Sequence, residues 1–334
     1  MRIGLAGAGR IGARHAETLH VLPEVESVVI ADVDAGRARQ VAERHGARTV
    51  GTVDELYASG LDGLVVAAAT DAHAGLVTRA TEAGIPTFCE KPVAPDIVGT
   101  LQVVKAVHKA GTAVQVGFQR RFDAGHVAVR DAVAAGRLGW LHTVRSCTLD
   151  PAPPPPGYIP VSGGIFRDCA VHDIDGVRFV TGREVVQVVA VGSNRGEDFF
   201  AECGDVDTGA ALLTLDDGTI AIISETRYNA AGYDVRLEAL GSKDSLVAGF
   251  DEHTPLAPAD STGGRFGDAA PYTGFLDRFG AAYVAELRAF IRVVSGQSES
   301  PCPPVEALEA FYVAEACERS RREGRVVTIE EVRQ

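Results

Sequence analysis

Lysine is scarce in this chain. Its 334 residues include only Lys91, Lys105, Lys109 and Lys243, and arginine supplies the rest of the 32 basic residues. Acidic residues number 45, the formal net charge is −13, and no basic run interrupts the sequence. Nucleic acid and anionic membrane surfaces both reward clustered Lys and Arg, so neither is an expected partner. No apolar stretch approaches the about 20 residues of a membrane span. The first apolar strand begins at once, which leaves no room for a leader segment and points to a cytoplasmic protein. The six cysteines (Cys89, Cys147, Cys169, Cys203, Cys302, Cys317) are scattered without a Cys-x-x-Cys. That spacing indicates neither a zinc site nor a disulfide framework, and the cysteines read as reduced thiols. The nine histidines contain no His-Glu-x-x-His, so no metal site is expected.

An apolar fraction of 46% with 6% aromatics suits a globular chain, and 334 residues suit two domains. Up to about residue 121, short apolar runs alternate with helical patterns. The runs are Ile3–Ala6, Val25–Ala31, Gly63–Ala69, Thr87–Glu90 and Ala113–Phe118. Between them lie Arg10–Leu22, Ala35–His45, Ala72–Ala83 and Pro95–Ala110. Near-continuous apolar strands between helices predict a parallel sheet covered on both faces, a doubly wound α/β domain over 1–121. From residue 122 the pattern changes. Asp123–Arg137 and Ile165–Thr181 read as helices, and Trp140–Leu149 as a strand before a proline run at 151–160. Strand-like runs follow in series: Glu184–Ser193, Asp207–Leu215, Thr219–Asn229, Val235–Leu240 and Ser245–Phe250. The turn Asp216-Asp217-Gly218 joins two of them as a hairpin. A mostly antiparallel sheet is therefore expected in a second α/β domain over 122–334. Two closing helices, Leu276–Val294 and Pro304–Arg322, are free to pack back on the first domain, and Pro258–Gly267 reads as a loop.

Gly7-Ala8-Gly9-Arg10-Ile11-Gly12 directly follows the first strand. Gly7 permits a tight turn, Gly9 lets a diphosphate approach the backbone, and Gly12 lets helix and strand pack closely. The N–H groups of Arg10, Ile11 and Gly12 then face the phosphates at a helix N-terminus. Asp32 stands twenty residues after Gly12, at the end of the second strand, where an acid binds the adenosine ribose. Strand, loop, helix, strand and acid together point to NAD, with Asp32 expected to disfavour a 2′-phosphate. Arg37 is the local cation that compensates for its charge.

Glu90-Lys91-Pro92 ends a parallel strand, where doubly wound sheets bind ligands. Lys91 is expected to point towards the nicotinamide, although a strand-ending turn with a solvated lysine fits the same residues. Asp168 and His172 are four apart and share one face of a predicted helix. A carboxylate that reaches an imidazole fixes its tautomer and makes a general base, whereas spacing alone fits an ordinary i,i+4 surface pair equally well. Arg120 and Arg121 lie where the domains join, as substrate contacts or as ion pairs. Asp150 and Tyr233 are further polar candidates whose bland readings are a turn-capping acid and a packed aromatic.

Taken together, these segments resemble the glucose-fructose oxidoreductase / inositol dehydrogenase / MocA family over nearly the whole chain. The family carries Glu-Lys-Pro at the position of Glu90–Pro92, with the lysine catalytic, and an Asp-x-x-x-His pair matched by Asp168 and His172. Within it, Gly117–Asp123, Asp150–Pro155, Ser162–Phe179 and Gly232–Gly241 look most like inositol 2-dehydrogenases. The resemblance implies NAD-dependent oxidation of a cyclic polyol with Lys91, Asp168 and His172 catalytic. Substrate contacts are implied at Lys91, Arg120, Asp150, Asp168, His172 and Tyr233, and Glu90 and Lys91 beside the cofactor. It also implies a cis Lys91–Pro92 bond and a homotetramer formed through the second domain's sheets. The chain departs from those enzymes at Leu149, usually arginine, at Ala231, usually tyrosine, and at Val305-Glu306. These departures bear on which polyol is used. A redox-neutral glycosidase or epimerase that recycles its NAD, and a non-catalytic NAD-binding regulator, are the alternatives on the same fold.

Overall fold

The computed structural model describes residues 1–260, 267 and 269–334. The expected loop at Pro258–Gly267 lies largely outside them. The chain forms two compact units, Met1–Gln119 with Ala281–Leu308, and Arg120–Gly280 with Glu309–Gln334. The division, expected at 121/122, falls at 119/120, and Ala281–Leu308, within the closing helices expected to be free to pack back, belongs to the first unit.

In the first unit the strands are β1 (Arg2–Ala6), β2 (Ser27–Ala31), β3 (Arg48–Thr49), β4 (Gly63–Val66), β5 (Thr87–Glu90) and β6 (Val114–Gly117). They pair in parallel in the order β3-β2-β1-β4-β5-β6. The order reverses between β1 and β4, and ligands bind beyond the carboxyl ends of strands at such a point. The helices are α1 (Arg10–Val21), α2 (Ala35–His45), α3 (Val53–Tyr57), α4 (Thr70–Glu82) and α5 (Ile97–Ala110). The short β3 and α3 carry too few apolar positions to show as a pattern in the sequence. Side chains that accept backbone N–H groups fix three helix starts: Asp34 on α2, Thr52 on α3 and Asp96 on α5. Such caps are each worth about 1 kcal/mol.

The second unit opens with a 3₁₀ turn at Gln119–Phe122, and α6 (Ala124–Ala134) follows. Its strands are β7 (Leu141–Leu149), β8 (Val185–Ser193), β9 (Thr208–Leu215), β10 (Ile220–Thr226), β11 (Asp234–Gly241), β12 (Ser245–Ala248) and β13 (Val327–Thr328). The sheet runs β12-β11-β7-β10-β9-β8-β13. All pairs are antiparallel except β7 with β10. At the Asp216-Asp217-Gly218 hairpin Gly218 takes φ +87° and the Leu215 N–H donates to Thr219 O at 2.9 Å. The helices of this part of the chain are α7 (Ile159–Ser162), α8 (Val171–Thr181), α9 (Phe199–Glu202), α10 (Phe275–Arg278), α11 (Gly280–Val294), α12 (Pro304–Glu323) and α13 (Ile329–Arg333). One sheet face is covered, and α8, which is buried along most of its length, packs against it and against α6. The other face carries Val189, Val191, Leu212, Ile220, Ile222 and Val247, all exposed.

The helix expected over Leu276–Val294 breaks at Phe279 into α10 and α11. Leu287, Phe290 and Ile291 of α11 join Ile3, Leu5, Val65 and Phe88 in the core of the first unit. Phe290 is fully buried. Phe290→Ala should therefore destabilise the first unit by about 3–5 kcal/mol, the usual cost of emptying an aromatic core site. Chemical denaturation reads this, and a loss below about 1 kcal/mol would place α11 outside that core.

Candidate active site

The glycine loop of the first unit is required by its packing. Gly7 takes φ +100°, and a Cβ there would stand 2.5 Å from the Ala67 backbone. A Cβ on Gly12 would stand 2.1 Å from Gly7 O, whereas one on Gly9 would meet nothing within 4 Å. Open space therefore lies against Gly9 at the start of α1, whose N-terminus has no side-chain cap. Uncapped N–H groups and the positive helix end suit a diphosphate there. Asp32 follows β2. Its Oδ2 accepts from Ala8 N at 2.6 Å and Arg37 Nε at 3.2 Å, and its Oδ1 from Asp34 N at 2.8 Å and Arg37 Nη2 at 2.7 Å. Burial works to raise the Asp32 carboxyl, but these hydrogen bonds outweigh it and hold it below the usual value. The loop and acid fit a dinucleotide.

At the end of β5, Glu90 Oε1 lies 2.6 Å from Nε2 of the buried His15 on α1. Glu286 of α11 is fully buried, and neither carboxyl oxygen has a hydrogen-bond partner. Burial first, and then the charge of Glu90, push it well above the carboxylate range and favour its neutral form. Lys91 follows Glu90, half-buried, and the Lys91–Pro92 bond is cis, as expected.

The site residues of the second unit gather where β7 and β10 end. Because these strands are parallel, their carboxyl ends lie side by side. Along their covered face Val144, Ala221 and Ile223 give way to Ser146, Thr148 and Glu225. Asp150 and Arg227 continue the same period-two positions just beyond the strands. Arg227 Nη1 donates to Asp150 Oδ2 at 2.9 Å and Nη2 to Asp168 Oδ2 at 2.7 Å. The Tyr158 hydroxyl donates to Asp168 Oδ1 at 2.8 Å. Burial pushes the Asp150 carboxyl up despite Arg227, and burial together with Asp168 pushes the Tyr158 hydroxyl up. Burial opposes the charge on Arg227, but Cys169, Asp168 and Asp150 more than restore it.

One expectation needs correction. Asp168 does not lie on a regular helix. Phe166–Ala170 forms a π-helical turn ahead of α8, so the four-residue spacing to His172 is not that of an α-helical face. Arg227 and Tyr158 hold the Asp168 carboxylate. Arg120 is buried and already engaged: Nη2 donates to Thr148 Oγ1 at 2.6 Å, and Nη1 lies 3.0 Å from Asp173 Oδ1. Asp173 and Asp175 are the buried counter-ions of Arg120 and Arg121. Tyr233 is buried, and its hydroxyl is pushed up by burial, with Arg120 opposing and Asp150 reinforcing the shift.

The sequence reading missed Arg227, Tyr158 and Glu225. Arg227 was detectable as a charge on the inward parity of β10, and Tyr158 was hidden in the proline run. Among the described residues no group of three His, Cys, Asp or Glu is placed to hold a metal ion.

A glycine-loop Rossmann unit and a second α/β unit with a carboxylate–arginine site define an NAD-dependent oxidoreductase. Residues 1–118 match the oxidoreductase family with the NAD-binding Rossmann fold, and residues 126–247 match the GFO/IDH/MocA C-terminal domain. The chain belongs to the GFO/IDH/MocA family. It is 39% identical to a myo-inositol dehydrogenase of Streptomyces leeuwenhoekii over 329 residues, covering 98% of this chain and 99% of that one. The solved myo-inositol dehydrogenase of Corynebacterium glutamicum superposes with a TM-score of 0.90 at 38% identity, covering 98% of each chain. The scyllo-inositol dehydrogenase of Lactobacillus casei, solved with NAD(H) and scyllo-inositol, gives 0.89 at 26% identity and covers 99% of each.

Glu225 generates a pH prediction. Burial, then the neighbouring Asp173, push its carboxyl well above the ordinary value. Unfolded, it ionises near pH 4.3. Above that pH the folded state holds a proton that the unfolded state has lost, so this contribution to stability is full below about pH 4.3 and declines as pH rises. Glu225→Gln has no proton to lose. Its melting temperature relative to the parent should rise steadily from pH 5 to pH 8, and a difference independent of pH would contradict a neutral Glu225.

Proposed function

We propose that the protein oxidises a secondary hydroxyl of a cyclic polyol, myo-inositol or a closely related inositol, in the cytoplasm. The observation that carries this reading is the pair Asp150 and Asp168, held on one guanidinium a short way ahead of His172. Carboxylates held in place by a cation are good acceptors for hydroxyls, and a polyol offers only hydroxyls to recognise. Kinship with inositol dehydrogenases supports the same substrate class. Bound NAD⁺ supplies the hydride acceptor.

In this reading Gly7, Gly9, Arg10, Ile11 and Gly12 hold the diphosphate and Asp32 the ribose. Glu90 and Lys91 lie beside the nicotinamide. His172 takes the hydroxyl proton, a role typically worth ~10²–10⁴-fold. Asp168, held by Arg227, orients His172 and accepts from a neighbouring hydroxyl. Lys91 donates to the hydroxyl oxygen as negative charge develops on it. Asp150 and Tyr233 recognise further hydroxyls. Arg120 contributes those of its five N–H donors that Asp173 and Thr148 leave available. Leu149 and Ala231 lie beside Asp150 and Tyr233, so the preference among inositols should differ from that of the usual enzyme.

A polyol and sugar screen that follows NADH absorbance tests the reading. Lys91→Ala and His172→Ala should each lose most turnover while binding NAD normally, with non-additive effects in the double variant. Asp150→Ala should raise KM or lower kcat for the polyol without changing NAD affinity. Turnover confined to open-chain acids or aromatic diols would sink the substrate assignment, and product formation without NADH accumulation would indicate redox-neutral chemistry.

The exposed apolar face of the second unit's sheet supports a homotetramer, since a contiguous patch of this kind is normally covered. Light scattering after gel filtration should give four chains per particle. Ile222→Glu should reduce that number, and an unchanged mass would remove this face from the assembly.

A further inference from the structure

Glu286 is fully buried, and neither of its carboxyl oxygens has a hydrogen-bond partner. Its backbone is tied to the sheet, where Nε2 of the buried Gln115 on β6 donates to the Glu286 carbonyl at 3.0 Å. The charge that acts on it is that of Glu90 on β5, and among the described residues no cation offsets it. Glu90 in turn meets His15 of α1, Oε1 to Nε2, at 2.6 Å. The His15 ring stands edge-on to Phe88 of β5 and to Tyr283, which lies three residues ahead of Glu286 on α11. The Cys89 thiol, also fully buried, completes the titratable groups on these elements. A carboxylate with no partner is untenable in such an interior, so the group keeps its proton. A positive charge added at the end of β5 would reverse the balance, because it offsets the charge that Glu286 would otherwise have to share with Glu90. The Glu90 side chain is 14% exposed and that of His15 is wholly buried, so Glu90 connects this interior acid with water.

Oxidised and reduced nicotinamide differ by one positive charge on the ring. In the reading above Glu90 and Lys91 lie beside that ring, and the inference rests on that placement but not on the polyol. We propose that Glu286 is a proton site linked to the oxidation state of the cofactor: it holds its proton in the free protein and beside NADH, and releases it to solvent when NAD⁺ binds. The O–H bond of the Glu286 carboxyl breaks, its electron pair stays on the carboxylate, and the proton leaves past Glu90 to the buffer. When hydride transfer removes the ring's charge, a proton from water returns to Glu286. Glu286 acts through charge alone, apart from the hydroxyl chemistry of Lys91 and His172. By linkage, NAD⁺ binds more tightly as pH rises and NADH does not.

Calorimetric titration of the full chain with NAD⁺, NADH and ADP-ribose, without polyol, counts the protons released when it is repeated in buffers of different ionisation enthalpy. NAD⁺ should release up to one proton per chain, whereas NADH and ADP-ribose should release none. The affinity of the parent for NAD⁺ should rise at least about fivefold from pH 6 to pH 8, the lower end of the usual coupling between two sites. Glu286→Gln, which keeps the shape and the neutral form, should bind NAD⁺ without releasing a proton and with an affinity independent of pH. Lys91→Ala should keep the release, which separates Glu286 from a lysine that sheds its own proton beside a cation. Release that survives in Glu286→Gln, or equal release with NADH, overturns the proposal. So does a parent that binds NAD⁺ with no proton released and no dependence on pH. Equal release with NAD⁺ and ADP-ribose would place the nicotinamide away from Glu90, and failure to bind NAD⁺ would remove the cofactor assignment; either result takes the proposal with it.

Discussion

The site of the second unit depends on a single cation. Asp150 and Asp168 are both largely shielded from water, and two carboxylates in such a place repel each other unless a positive charge stands between them. Arg227 takes that position, with one nitrogen on each. It can do so because β7 and β10 are the one parallel pair in an otherwise antiparallel sheet. Any antiparallel pairing of these two strands would send Asp150 and Arg227 to opposite ends. Arg120 repeats the arrangement one layer deeper, with Asp173 as counter-ion and Ser146 and Thr148 donating to the same carboxylate. Glu225 sits beside this second pair, where burial favours its neutral form.

What the sequence revealed follows from how local each signal is. The glycine loop and Asp32 act through one short strand–loop–helix–strand unit, so spacing alone exposes them. The parallel strands were legible because burial on both faces makes them continuously apolar. Arg227 gave only a parity signal, because its partners lie 59 and 77 residues away in the chain. In a chain this rich in arginine one more arginine attracts no notice. The π-helical turn at Phe166–Ala170 was hidden for a different reason: side-chain type does not encode one extra residue per turn. The apolar stripe of α11 announced a buried helix but not which core it would fill. Nothing nearby in sequence marks Asp173 or Asp175 as the counter-ion of Arg120 or Arg121.

The first unit shows a related economy at the end of β5. His15, Glu90 and Glu286 come from a helix, a strand and the returning helix, and bring buried polar groups against the strand that presents Lys91. Charge on Glu90, after burial, opposes charge on Glu286 and favours the neutral form of Glu286. A carboxylate preceding Lys91 keeps that end of the strand from becoming a site of unbalanced positive charge.

The return of Leu287, Phe290 and Ile291 to the core of the first unit also has a consequence for biosynthesis. A ribosome releases the chain from its N-terminus, and domains ordinarily fold in the order in which they emerge. Here the six-stranded sheet can pair as soon as β6 is made, but its core lacks an aromatic wedge until residues 281–308 leave the exit tunnel. All of Arg120–Gly280 is synthesised in between. The nascent first unit therefore waits with an open apolar side around Ile3, Leu5 and Phe88, and most of the second unit emerges before it closes. Completion of the dinucleotide-binding unit thus becomes a late event in the life of the chain, tied to synthesis of nearly its full length.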